Sequence, residues 1–153
     1  MGRRVCRRRS AFTLLELLLV AGILAVLAAF AIPSLMGQAN KAKIDITKGA
    51  VLSNGSLSKA LDSYKWDLGK YPETDQGLGI LLKKKGEVDE ARFNGPYVQG
   101  TGDSLKDPWG NPFEYRSPGE INEDGYDLWS WGPDGKNDSG KEGSDDIKNW
   151  IER

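Results

Sequence analysis

The chain has 153 residues and a formal net charge of −1, with no histidine and a single cysteine, Cys6. This length suits one small domain beside any membrane segment. Five of the 21 basic side chains are arginines within residues 1–10, so 16 remain against 22 acidic side chains in the rest of the chain. That acidic surplus argues against a nucleic-acid-binding face. The missing histidine and the lone cysteine exclude a zinc-ligand set and a disulfide within the chain.

Residues 1–11 form a basic leader, and residues 12–33 form an apolar run that predicts a transmembrane helix. A helix needs about 20 apolar residues to cross a bilayer, and arginines ahead of it keep the N-terminus in the cytoplasm while the rest is exported. Glu16 is the only charged residue of the run. A carboxylate at mid-membrane costs roughly 2.5–3.5 kcal/mol, and less near the interface, so we expect Glu16 to have a partner.

Cleavage between Ala11 and Phe12 would supply that partner. The new amino group of Phe12 would lie about one helical turn from Glu16, and in a bundle of identical helices it could neutralise the Glu16 of a neighbour. Because unpaired charges are costly in lipid, this pairing would fix the register between subunits. A simpler interpretation stays open at this point: an uncut signal anchor with Glu16 at the membrane interface.

Apolar residues recur at spacings of three and four from Leu35 to Leu68, which predicts that the helix continues beyond the membrane as one amphipathic rod. Pro33 either marks the end of the membrane span or lets the helix bend, and the sequence favours neither interpretation. Gly55 weakens the rod by about 1 kcal/mol relative to alanine. Gly69 is expected to cap its C-terminal end.

Residues 34–153 are predicted to form the exported domain. After the rod we expect a short helix that begins at Thr74 and ends near Gly86, an ordered loop over 83–111, and strands over 112–116, 126–131 and 147–151. The economical fold is α+β, with a small antiparallel sheet packed on the outer half of the long helix. Four tryptophans are predicted to supply much of its core: Trp109, Trp129, Trp131 and Trp150.

An acidic, glycine-rich segment over residues 132–146 is the second candidate site, with carboxylates at Asp134, Asp138, Asp145 and Asp146. Crowded carboxylates repel one another unless they are solvated or bridged by a hard cation, and calcium takes about six to eight oxygen ligands at about 2.3–2.6 Å. The segment is not an EF-hand, because the third ligand position counted from Asp134 is a lysine. From composition alone, a calcium site and a solvated acidic loop are equally open.

The sequence AFTLLE at residues 11–16 resembles the prepilin peptidase recognition site of type IV pilins and type II secretion pseudopilins. The resemblance implies cleavage between Ala11 and Phe12, methylation of the new Phe12 amine, and an assembly role for Phe12 and Glu16. Ala11 departs from the family pattern, which usually has glycine before the cut. Slower processing would follow if the peptidase prefers glycine.

Further runs resemble, in order, the major pseudopilins of type II secretion systems, the G-type subunits: ALDSYK (60–65), GKYP (69–72), QGL (76–78), DPWGNP (107–112), RSPGE (116–120), GPDG (132–135) and DDIKNW (145–150). This resemblance implies one structural calcium ion, Ca2+, in the C-terminal loop. Carried over by position, the ligands would be the side chains of Asp134, Asp145 and Asp146 and backbone oxygens near Trp131 and Gly143. The segment between Asp134 and Asp145 is longer than the usual pattern, so Asp138 is an alternative ligand.

The resemblance also implies a function without catalysis. The chain would be a structural subunit of a periplasmic pseudopilus that helps drive folded proteins across the outer membrane, anchored in the inner membrane by a single span with its domain in the periplasm. Its partners would be other copies of itself, minor pseudopilins, the inner-membrane assembly platform and the prepilin peptidase.

Three alternatives remain at this point. A type IV pilin of an adhesion or DNA-uptake fibre shares this N-terminus but usually carries a C-terminal disulfide loop, which this chain cannot form. A membrane-tethered periplasmic hydrolase would need a nucleophile and a base, and without histidine only carboxylates or a Ser–Lys pair could serve. A calcium-responsive binding domain on a simple anchor would keep the metal but not the cleavage.

Overall fold

Two units make up the chain, with the boundary between Ala39 and Asn40. The computed structural model describes residues 12–138 and 143–151, and among these the side chains of all but residues 31–34. In chain order the helices are α1 (Leu14–Val51) and α2 (Ser56–Leu68), followed by 3₁₀ helices at Leu78–Leu82 and Gly102–Leu105. Three strands follow: β1 (Glu114–Arg116), β2 (Asp127–Ser130) and β3 (Ile147–Lys148). The leader, residues 1–11, lies outside the described residues.

The first unit consists of α1 up to Ala39, preceded by Phe12 and Thr13. Its side chains are exposed wherever they are described. The large apolar ones between Phe12 and Phe30 are 49–78% exposed. By length and composition, this helix is suited to crossing a membrane.

In the second unit the predicted rod is interrupted, so the expectation of one helix up to Leu68 was wrong. Helix α1 ends at Val51, and α2 begins at Ser56. The buried Ser58 hydroxyl donates a hydrogen bond to the Val51 carbonyl at 3.0 Å. A Cβ atom on Gly55 would overlap the Ala50 carbonyl. The weak helix formers after Val51 thus allow a turn, and the Ser58–Val51 hydrogen bond stabilises it. As predicted, Gly69 ends α2 with φ +82°.

The three strands form an antiparallel sheet in the order β1-β2-β3. Tyr115 pairs with Leu128, and Ser130 pairs with Ile147. The predicted strands are confirmed in position and direction, although each is shorter than expected. The α+β class is therefore confirmed: one long N-terminal helix and a small three-stranded antiparallel sheet.

The core joins α2 to the sheet, and the expectation that four tryptophans supply much of it was wrong. All four predicted tryptophans are only half-buried. On β2 the fully buried side chains are Leu128 and Ser130, and side chains alternate between the two faces of a strand, so Trp129 falls on the other face. Trp131 follows the end of the strand. The core aromatics are instead five tyrosine and phenylalanine rings: Tyr64, Phe93, Phe113, Tyr115 and Tyr126.

Thr74 does not begin a helix, contrary to the prediction. The short helix is a 3₁₀ helix that starts after Gly77 and is followed by Lys83. The Thr74 hydroxyl instead donates to the Ser117 carbonyl and accepts the Ser117 N–H, both at 2.9 Å. The Thr74 hydroxyl therefore binds Ser117, 43 residues further along the chain, instead of capping a local helix.

The Tyr115 hydroxyl donates a buried hydrogen bond of 2.7 Å to the Pro72 carbonyl, and burial raises the pKa of Tyr115 above its ordinary value. We expect Tyr115→Phe to lower the free energy of unfolding by about 1–2 kcal/mol, because the Pro72 carbonyl would lose its partner. Urea unfolding followed by tryptophan fluorescence measures this, since all five tryptophans lie in the second unit. Tyr71→Phe is the matched control, because its hydroxyl bonds the exposed Asp62, where water can replace it. Equal losses in the two variants would contradict the prediction.

Candidate functional sites

The N-terminal candidate site lies at the start of α1. The Glu16 backbone N–H donates to the Thr13 hydroxyl oxygen at 3.2 Å, so Thr13 caps the helix and Glu16 lies in its first turn. Phe12 precedes the cap and is 73% exposed. Ala11, and with it the predicted cleavage site, lies outside the described residues. The structure thus places Phe12 and the exposed Glu16 about one turn apart.

The C-terminal candidate site begins where β2 ends. Gly132 has φ +67°, and its backbone lies so close to Asp145 that a Cβ atom on Gly132 would overlap the Asp145 carbonyl. The Asp138 N–H donates to the Asp146 carboxylate at 3.0 Å. Together with the Ser130–Ile147 strand pair, these contacts hold the two ends of the acidic segment side by side. Residues 139–142 lie outside the described residues.

The predicted calcium ligands differ in how far they are buried. Asp146 is buried, whereas Asp134, Asp145 and Gly143 are exposed and Trp131 is half-buried. The Asp134 carboxylate accepts the Lys136 N–H at 2.8 Å and lies 3.6 Å from the Lys136 ammonium. Within residues 12–138 and 143–151, no three acidic, histidine or cysteine side chains cluster tightly enough to hold a metal.

The ligand atoms of the predicted residues are nevertheless of the chemical type that calcium binds. Carboxylate and backbone oxygens are the only ligand types that the predicted residues offer, which is what calcium prefers. Asp145 and Asp146 already lie against the backbone of Gly132 and Asp138. Asp134 would have to exchange its exposed contact with Lys136 for the cation, and an exposed ion pair of this kind contributes only about 0–1 kcal/mol.

Two buried aspartates, which the sequence pattern did not reveal, fix the backbone near the two opposite ends of β2. The Asp107 carboxylate accepts the N–H groups of Trp109 and Asn111 at 3.0 and 2.9 Å and the Ser130 hydroxyl at 2.7 Å. The Asp127 carboxylate accepts three backbone N–H groups, of residues 120, 121 and 122, at 2.7–3.0 Å. The Asp-Pro-Trp-Gly turn was a usable signal for Asp107, because aspartate side chains often bond the backbone two residues on.

Comparisons with known proteins agree with this architecture. The sequence model of the family described as "Type II secretion system (T2SS), protein G" matches residues 34–150. The chain belongs to the type II secretion protein G family. The prokaryotic N-terminal methylation motif matches residues 6–32, a range that includes Ala11, Phe12 and Glu16. This motif indicates processing by a prepilin peptidase, while the bond that is cut stays a prediction.

Relatives in this family align over almost the whole chain. The type II secretion system core protein G of Aeromonas hydrophila is 43% identical over 146 residues, covering 94% of each chain. That of Escherichia coli K12 is 42% identical over 149 residues, covering 96% of this chain and 94% of the relative. A crystal structure of the major pseudopilin from the type 2 secretion system of enterohaemorrhagic E. coli is 32% identical with a TM-score of 0.56, covering 76% of this chain and 89% of that one. The resemblance inferred from sequence is therefore confirmed.

Two glycines of the acidic segment offer a test of the loop geometry. Gly132 and Gly135 both have φ +67°, so alanine at either position should cost about 1 kcal/mol in backbone strain. The new methyl group at position 132 would also overlap the Asp145 carbonyl, whereas at position 135 it would make an ordinary contact with Asn111. We expect Gly132→Ala to lower the free energy of unfolding by at least about 1 kcal/mol more than Gly135→Ala. Urea denaturation of both variants checks this, and equal losses would show that the Gly132–Asp145 contact is not tight.

Proposed function

We propose that the processed chain is the major, filament-forming subunit of a periplasmic pseudopilus and that it acts by assembly, helping type II secretion move folded proteins across the outer membrane. The observation that carries the proposal is the family match over residues 34–150 directly behind a methylation motif over residues 6–32. A function by assembly also accords with the large uncovered apolar surface of α1, which needs a membrane or other helices around it.

We infer a single-pass topology in the inner membrane. The arginines of the leader hold the N-terminus in the cytoplasm before processing, residues 12–33 cross the bilayer, and the domain from residue 34 lies in the periplasm. The proposed partners are other copies of the chain, minor pseudopilins, the inner-membrane assembly platform and the prepilin peptidase. The exported part carries more acidic than basic side chains, which argues against a nucleic-acid partner.

Assembly is proposed to depend on the pairing of Glu16 with the Phe12 amine of a neighbouring subunit. Glu16 lies in the first turn of α1, where the helix dipole favours a carboxylate by only about 0.3–1 kcal/mol. A charge at mid-membrane costs roughly 2.5–3.5 kcal/mol. The dipole alone therefore does not offset the cost once Glu16 is drawn inside a bundle, whereas a neighbour's ammonium group does.

Calcium is proposed as a structural ligand of the C-terminal loop. Asp134, Asp145 and Asp146 would hold it with backbone oxygens near Trp131 and Gly143, and the Asp138 carboxylate is the alternative ligand. When bound, the cation would neutralise these carboxylates and join the two ends of the acidic segment.

Glu16→Gln tests the assembly proposal because it removes the charge and keeps the shape. We expect pseudopilus formation and secretion in cells to be lost, while tryptophan fluorescence of the purified chain, which reports only the second unit, stays unchanged. Asp45→Asn is the matched control, since it removes an exposed carboxylate from the same helix and should leave assembly intact. Normal pseudopili from Glu16→Gln would contradict the pairing.

A thermal melt of the processed full chain in detergent, followed by tryptophan fluorescence, tests the calcium proposal. Free calcium at about 100 times its dissociation constant should add about 2.7 kcal/mol and raise the melting temperature by several degrees relative to chelator. The increment should disappear in Asp146→Asn and persist in the control Asp124→Asn, an exposed acid of the loop before β2. No calcium-dependent rise in the wild-type chain would refute the site.

A further inference from the structure

Asp107 is a buried carboxylate, only 5% exposed, whose hydrogen bonds reach two separate segments. One oxygen binds its own turn through the N–H groups of Trp109 and Asn111. The other oxygen accepts the hydroxyl of Ser130, the last residue of β2, at 2.7 Å. A buried carboxylate is costly unless it is hydrogen-bonded, and these donors satisfy it from both sides.

Ser130 extends this contact toward the acidic segment. Its side chain is fully buried, and its oxygen accepts the Gly132 N–H at 3.1 Å while its hydroxyl proton is committed to Asp107. Asp107 and Ser130 therefore form a short hydrogen-bond relay from the Asp-Pro-Trp-Gly-Asn turn to the first residue of the acidic segment.

The geometry of the peptide bond gives this relay a consequence for the loop. The Gly132 N–H and the Trp131 carbonyl belong to one planar trans peptide unit and point in opposite directions. Anchoring the N–H on Ser130 therefore fixes the direction of the Trp131 carbonyl, whose oxygen belongs to the backbone oxygens near Trp131 that are proposed as calcium ligands. The same anchor holds the Gly132 backbone against the Asp145 carbonyl.

We propose that Asp107, acting through Ser130, is a positioning residue for calcium: it sets the orientation of the Trp131–Gly132 peptide and keeps the acidic segment ready to bind the ion. This inference rests on the calcium site proposed above. Residues that orient metal ligands without touching the metal typically change metal affinity by about 10–100-fold when they are substituted. Asp107 and Ser130 belong to this class.

Asp127 supplies a matched control. It is also a buried aspartate, 3% exposed, and it also fixes a turn by accepting backbone N–H groups. Asp127, however, is the first residue of β2, whereas Ser130 is the last. The backbone groups that Asp127 binds lie in the loop over residues 120–122. Asp127→Asn should therefore weaken folding without acting on the acidic segment.

The experiment measures calcium chloride binding by isothermal titration to the processed full chain in detergent, with calcium-free urea unfolding as a second readout. We expect Asp107→Asn and Ser130→Ala each to raise the calcium dissociation constant by about tenfold or more. Asp127→Asn should lower calcium-free stability yet leave the constant within about twofold of the wild-type value. The two relay substitutions should be non-additive, because each breaks the same connection.

Each outcome bears on a different claim. A wild-type chain that does not bind calcium overturns the calcium site and this inference together. A wild-type chain that binds calcium, with relay variants that lose stability but keep its affinity, overturns only the positioning role. Ser130→Ala leaves Asp107 its two turn contacts, so it decides the question if Asp107→Asn does not fold.

Discussion

The constraint on which the rest of this protein depends is the large exposed apolar surface at the start of helix α1. From Phe12 to Phe30 the large side chains of α1 are about half to three-quarters exposed, and no contact within the described residues buries them. A surface of this size is stable only in a bilayer or against other helices. Glu16, at the start of that surface, then makes the choice of neighbours specific, because only a partner bearing a positive charge at the matching height offsets the cost of burying its carboxylate. The apolar surface and Glu16 together thus imply a subunit that assembles with others.

The second unit depends on a different constraint, because its sheet is too small to be stable through its own ladder hydrogen bonds. The strands have three, four and two residues, and their ladder hydrogen bonds cannot fix the long loops between them. Two buried aspartates supply what the ladder lacks. Asp127 fixes the loop that enters β2, and Asp107 fixes, through Ser130, the segment that leaves it. The short strand β2 is therefore anchored at both ends by carboxylates, and the acidic segment leaves the sheet from one of these anchors.

Local signals in the sequence predicted most of the elements, and prediction failed where a specific side-chain contact, near or distant in the chain, decided the structure. The glycine cap at Gly69 and the three strands depend on local chemistry, and they were correct. The break after Val51 depends on Ser58 reaching back to the Val51 carbonyl, and the role of Thr74 depends on Ser117; neither contact can be seen from propensity. The same holds for the C-terminal candidate site, where some features could be predicted from the sequence and others could not. Composition identifies the acids but cannot tell that Asp134 is paired with Lys136 or that the Asp138 N–H bonds Asp146.

These contacts also limit what calcium can contribute. The ends of the acidic segment are joined at Gly132 and Asp145 and at Asp138 and Asp146, so a cation would not have to bring these two ends together. For calcium to bind, Asp134 would still have to move away from Lys136. These two side chains form an exposed ion pair, and losing such a pair costs at most about 1 kcal/mol. The proposed ion would therefore act on the C-terminal loop, by holding Asp134 together with Asp145 and Asp146.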